Sequence, residues 1–286
     1  MRDQAEELRL RMLRNESRLG RSIAVVSGKG GVGKSNFSTN FTTTLSSLGK
    51  KVVLIDMDIG MGNIHILLGQ TAPKNLRDYL VGMCSLEQVM YEGPNHLQYI
   101  SGGSGLNGVL DWTEDMFHRL IEAFEYLQRN YDYILFDMGA GATAQTLDLL
   151  VAVDDIIVLT TAEPTSITDA YSMMKFIYHK DADKHFYLLC NRAFSKEEGR
   201  ETAARLQLAM EKFLSKEITI LGSLPEDPHV RKAVQQQVPF SIAFPHAEIT
   251  KAINEVVSKF TDVQMEDKYP KQSKFITRLR SLFGRS

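Results

Sequence analysis

Residues 23–35 read Ile-Ala-Val-Val-Ser-Gly-Lys-Gly-Gly-Val-Gly-Lys-Ser, an apolar run followed by a glycine-rich loop and the first residues of a helix-length stretch. Gly28, Gly33, Lys34 and Ser35 satisfy the phosphate-loop spacing G-x-x-x-x-G-K-[ST]. Such a loop needs a buried strand on one side and a helix N-terminus on the other, so it restricts the fold more than any other stretch. Glycines at 28, 30, 31 and 33 let backbone N–H groups converge on phosphate oxygens, and the helix dipole adds favourable charge. Lys34 is placed to hold the β- and γ-phosphates and Ser35 to ligate Mg²⁺. Gly28, Gly30, Gly31, Val32, Gly33, Lys34, Ser35 and Asn36 together form the candidate phosphate cradle.

Further apolar runs at 52–56, 133–137, 156–161, 186–191 and 218–222 read as buried strands. Helix-length stretches at 36–48, 115–130, 168–179 and 196–214 lie among them. This alternation predicts an α/β fold, a doubly wound and mostly parallel sheet with helices on both faces. Ligands of such sheets bind beyond the C-terminal ends of the strands. A hydrophobic content of 43% in 286 residues is ample for one large core. The formal net charge of −2 argues against a surface built to hold nucleic acid. Cys84 and Cys190 have no Cys-x-x-Cys partner and suggest neither a zinc site nor a disulfide framework, which fits a reducing cytoplasm. No apolar run approaches the length of a membrane span, so membrane contact is expected to be peripheral. The predicted organisation is a helical segment at 1–20, one domain at 21–262, and a linker with an amphipathic helix at 263–286.

The loop carries a second lysine, Lys29, ahead of its glycine pair. This resembles the deviant Walker A motif of the MinD/ParA ATPases, and the likeness extends over residues 21–262. The resemblance implies a MinD-like P-loop NTPase that binds ATP or ADP with Mg²⁺, hydrolyses ATP, and forms a homodimer around the nucleotide. Lys29 would then reach the partner's phosphates. It implies that Asp58, ending Val52-Val-Leu-Ile-Asp-Met-Asp58, orients the attacking water, and that Asp56 and Asp137 join Ser35 around the metal. Either carboxylate segment alone is equally compatible with simple helix capping. Asn191 and Arg192 resemble one adenine-contacting segment and Pro225 and Glu226 another, while Glu163 resembles a cross-dimer ribose contact.

The termini narrow the choice within the family. Asp3-Gln4-Ala5, with Leu8 on the same helical stripe as Ala5, resembles the N-terminal motif by which FlhG-type (YlxH, FleN) flagellar regulators activate the signal-recognition-type GTPase FlhF. That likeness implies control of flagellar number or placement, with FlhF and basal-body C-ring components as partners. A MinD-type division regulator and a ParA-type partition ATPase are the other readings. Near the C-terminus Phe275, Ile276, Leu279, Leu282 and Phe283 share one helical stripe, among Lys and Arg residues with no acid. Such a helix suits an interface with anionic lipids, bringing an otherwise cytoplasmic protein to the inner face of the membrane in its ATP state. Docking on its own core is the competing expectation.

Overall fold

Strand β1 (Arg21–Ser27) is buried on both sides, with Ala24 and Val26 in one apolar layer and Ile23 and Val25 in the other. Two-sided burial is what a continuous apolar run requires, and it fixes β1 near the middle of a parallel sheet. The computed structural model describes residues 19–103, 113–139, 144–266 and 274–283. After β1 come α1 (Lys34–Ser47), β2 (Val52–Asp56), α2 (Ile64–Leu67), α3 (Leu76–Leu80), β3 (Met90–Glu92) and β4 (Gln98–Ile100). Next are α4 (Glu114–Asn130), β5 (Tyr133–Asp137), α5 (Ala144–Ala152), β6 (Asp155–Thr160) and α6 (Pro164–Lys180). The chain continues through β7 (His185–Ala193), α7 (Lys196–Leu214), β8 (Thr219–Pro225), α8 (Pro228–Gln236), α9 (Phe240–Ala243), α10 (Glu248–Glu266) and α11 (Phe275–Phe283).

Among the described residues eight strands form one sheet in the order β3-β4-β2-β5-β1-β6-β7-β8, and every pairing but β3 with β4 is parallel. The doubly wound architecture expected from the sequence is therefore present, with an antiparallel hairpin at one edge. One face carries α4, α5, α6 and α7, and the other carries α1 and α10. Helix α1 is unusual in being polar and buried at once. Its Phe37, Phe41 and Leu45 form an apolar edge, and Phe41 meets Phe260 of α10 edge-on at 5.3 Å. The hydroxyls of Thr39 and Thr42 bond back to the carbonyls of Ser35 and Ser38, so small polar side chains can be buried beside α10.

The C-terminal stripe does not face solvent. Phe275 and Leu279 of α11 are fully buried, Ile276 is half-buried, and the Phe275 ring lies 5.4 Å from Phe124 of α4 and 5.6 Å from Phe136 of β5. In this conformation the chain's own core covers the stripe, as the competing expectation had it. An apolar stripe is satisfied as well by a groove in its own core as by a bilayer, and docking within the chain involves no loss of translational freedom. Basic residues flanking the stripe are matched as well, with Arg280 paired to Glu125 of α4 and Arg278 lying 3.9 Å from Asp181. The side chains of Leu282 and Phe283 lie outside the described residues, as do Asp3, Gln4, Ala5 and Leu8. At the other end Gly20 bonds to α4 near its C-terminus, donating to the Gln128 carbonyl at 2.6 Å and accepting from the Gln128 side chain at 3.3 Å. Both ends of the described chain therefore meet α4.

Truncating a buried phenylalanine costs about 3–5 kcal/mol, more than a nine-residue helix can recover by itself. Phe275→Ala should thus undock α11 while leaving the sheet folded. Hydrogen exchange should accelerate across 275–283 and stay slow in β1 and β5. Unchanged protection in α11 would show that Phe275 does not anchor it.

Candidate nucleotide site

The site is assembled where β1, β2, β5 and β6 end. Gly33 takes φ +93° at the start of α1, a left-handed conformation that favours glycine, and Asn191 leaves no room for a side chain there. No side chain caps α1 and no acid lies in its first turn, so its first N–H groups are free to bind an anion. Gly28 faces the backbone of Asp169 on α6 so closely that a Cβ would collide with it. The loop is therefore clamped between α6 and β7.

The two loop lysines differ sharply. Lys34 is 8% exposed, and its ammonium donates to the Ser27 hydroxyl at 2.9 Å. Burial lowers its pKa, opposed by the charges of Asp137 and Asp58. The Ser27 hydroxyl in turn donates to the Lys29 carbonyl at 2.7 Å, tying the two halves of the loop together. Lys29 turns outward. Its ammonium pairs with Glu163 and lies 3.2 Å from the Thr165 hydroxyl, at the N-terminal end of α6 in the same chain. Lys29 and Glu163, expected to act across a dimer, are thus each other's partners here.

Asp56 and Asp137 sit side by side at the ends of β2 and β5. Both carboxyls are pushed upward chiefly by burial, Asp56 to about 7 with a further contribution from Asp137. Asp56 accepts backbone N–H groups from Asp58 at 3.1 Å, Asn63 at 2.9 Å and Ile64 at 3.3 Å, and so organises the turn after β2. Asp137 faces the phosphate loop instead, where Ser35 and Ser38 oppose the effect of burial and Ser38 donates at 2.8 Å. Asp58 is half-buried between Lys34 and Gly139. A buried carboxylate beside the Ser35 hydroxyl fits a magnesium ion, whose charge would relieve both the desolvation of Asp137 and its repulsion by Asp58.

At the ends of β7 and β8 the proposed base contacts converge. Asn191 donates to the Val32 carbonyl at 2.7 Å, which links this edge to the phosphate loop. Arg192, at φ +59°, pairs with Glu226 at 2.7 Å, and Ala193 lies opposite Pro225 in the ladder. Ser27, Ser38 and Thr165 carry no motif signal. Only the spacing of Ser38, one helical turn after Ser35, could have singled it out.

A family model described as ParA, NUBPL iron-transfer P-loop NTPase, matches residues 18–261. The chain belongs to the ParA/MinD family of P-loop NTPases. It is 35% identical over 237 residues to the antiactivator FleN of Pseudomonas aeruginosa, covering 83% of this chain and 85% of that protein. It is 32% identical over 279 residues to the flagellum site-determining protein YlxH of Helicobacter pylori, covering 92% and 90%. The septum site-determining protein MinD of Pyrococcus horikoshii, solved with Mg-ADP, superposes with a TM-score of 0.69 at 25% identity over 88% of this chain and 100% of that one. Likeness to FleN and YlxH places this ParA/MinD chain among FlhG-like members.

A charge-assisted contact of about 3 kcal/mol corresponds to roughly 100-fold in affinity, so Lys34→Met should weaken a fluorescent ATP analogue by that order. Binding that survives the substitution would remove Lys34 from the phosphate contacts.

Proposed function

We propose that this ParA/MinD-family protein is an ATP-driven dimerising switch that hydrolyses ATP and links its nucleotide state to a membrane and to flagellar number or placement. The observation that carries this reading is the division between the two loop lysines. Lys34 is buried facing Asp137, where a cation serves its own nucleotide, and Lys29 reaches the surface beside α6. An ammonium at the surface can cross to the phosphates of a second copy and neutralise charge on the transferring phosphoryl group. Dimerisation would exchange the Lys29–Glu163 pair for contacts to the partner's nucleotide, Lys29 at phosphate and Glu163 at ribose.

Ser35 and Asp137 would hold Mg²⁺, and the ion would supply charge neutralisation to the phosphates. Asp58 orients the attacking water, and Asp56 fixes the turn that presents Asp58. Asn191 keeps one amide N–H on Val32 and offers the other, with its carbonyl oxygen, to the adenine edge. Arg192, Pro225 and Glu226 border that edge. Two variants test this scheme. Lys29→Ala should retain ATP binding by the monomer but show no ATP-induced rise in light scattering. Asp58→Ala should dimerise with ATP and hydrolyse it slowly. A normal Lys29→Ala dimer would refute the trans role.

The flagellar reading rests on FleN and YlxH, whose own descriptions are antiactivator and flagellum site-determining protein. The Asp3-Gln4-Ala5 motif with Leu8 adds an FlhF-like GTPase as partner, and C-ring components are the proposed cargo. Helix α11 supplies the membrane contact when it leaves its groove. It packs against α5, the helix that follows Asp137 in the chain, and that adjacency supports release in the ATP dimer. Two released helices on one dimer bind anionic lipid far better than one, because the second insertion is intramolecular. Sedimentation with anionic vesicles should therefore be stronger with ATP than with ADP. Leu279→Asp should reduce the ATP-state binding about tenfold or more, the equivalent of one buried leucine. Equal sedimentation of the wild type with both nucleotides would count against nucleotide control.

A further inference from the structure

Ser38 differs from its neighbours Thr39 and Thr42 on α1. Thr39 and Thr42 return their hydroxyls to helix carbonyls four residues back, at 2.8 and 2.7 Å. Ser38 instead reaches out of its helix and donates to Oδ1 of Asp137 at 2.8 Å, a residue 99 positions away. Both partners are sealed from solvent, Ser38 at 0% and Asp137 at 2% exposure. Ser35, the candidate metal ligand, lies one helical turn before Ser38 on the same side of α1 and also contacts the Asp137 carboxyl. Asp137 therefore receives two hydroxyls from one helix face, and they are not equivalent. The Ser35 oxygen must turn to a cation when one is present, whereas Ser38 has no phosphate or metal to serve.

We propose that Ser38 is a positioning residue for the magnesium site, pinning one oxygen of Asp137 so that the other stays aimed at the metal's water shell. This rests on the nucleotide reading above. Asp56 lies opposite Asp137 across the β2–β5 ladder, with its own oxygens taken by the backbone N–H groups of Asp58, Asn63 and Ile64. Those contacts occupy Asp56, while the neighbouring carboxylate of Asp58 bears on Asp137 as a like charge and would push an unpinned carboxylate away. Ser38 is the side chain that opposes that displacement once Ser35 has turned to the ion. The hydroxyl acts on the metal through Asp137 and touches neither nucleotide nor ion.

The test separates metal affinity from nucleotide affinity in the full-length chain. A fluorescent ATP analogue is titrated first in EDTA and then against increasing MgCl₂, with thermal melting recorded for each variant. Ser38→Ala should bind the analogue in EDTA as the wild type does. The MgCl₂ concentration needed for the metal-dependent gain should rise about tenfold, the usual cost of losing an outer-shell partner. Ser38→Thr keeps a hydroxyl at that position and should restore the wild-type requirement. An unchanged MgCl₂ requirement in Ser38→Ala, or equal losses with and without magnesium, overturns the positioning role. If the wild type binds no nucleotide, the site reading and this proposal fall together. If the wild type binds normally and Ser38→Ala behaves identically, only the role of Ser38 is lost.

Discussion

One buried ammonium facing buried carboxylates governs this molecule. Lys34 lies beside Asp137 and Asp58 at the C-terminal edge of the sheet, and burial disfavours the charge of Lys34 and Asp137 alike. Such an arrangement is costly by itself and would become favourable with phosphate and a divalent cation to bring the missing charge. The surrounding backbone maintains that geometry. The parallel ladder sets Asp56 opposite Asp137, α6 closes over Gly28, and Asn191 crosses from β7 to hold the Val32 carbonyl.

From this centre the structure runs outward in two directions. Toward the surface Ser27 joins the two lysines of the loop, so a change at Lys34 is felt at the backbone of Lys29. On the opposite side of the sheet, the chain leaving Asp137 leads into α5, against which α11 packs. Lys184 fastens the far end of α5 by donating to the carbonyls of Val151 and Val153, both at 2.6 Å. Asp181 contacts both Lys184 and Arg278 of α11, at 3.6 and 3.9 Å. One carboxylate thus joins the anchor of α5 to the docked terminal helix. The Arg278–Asp181 pair is long and partly exposed and contributes about 0–1 kcal/mol, so the aromatic contacts of Phe275 dominate the docking.

Much of this was legible in the chain because the central strands are continuous apolar runs and the phosphate loop is complete. Helix α7 was predicted at 196–214 and runs over those residues, since its apolar positions repeat cleanly and Ser195 caps it. Strands β3 and β4 left no such mark, being only three residues each, with β3 half-buried at the sheet edge. Helix α1 begins two residues before the predicted start because its first residues, Lys34 and Ser35, belong to the loop motif as well as the helix. Asp56 shows what spacing cannot convey. A carboxylate at a strand end is equally suited to metal ligation and to capping a turn, and only the backbone N–H groups around it distinguish the two. The stripe of α11 was read correctly as apolar, yet periodicity carries no information about whether a bilayer or Phe124 will cover it.

Both ends of the described chain meet on α4. Gly20 is held at the C-terminal end of that helix, one turn beyond the Phe124 and Glu125 that receive α11. The first strand and the last helix of the described chain are thus referenced to the same rod. A small rotation of α4 would move the entry to β1 and the floor of the α11 groove together, so the two termini share one mechanical support.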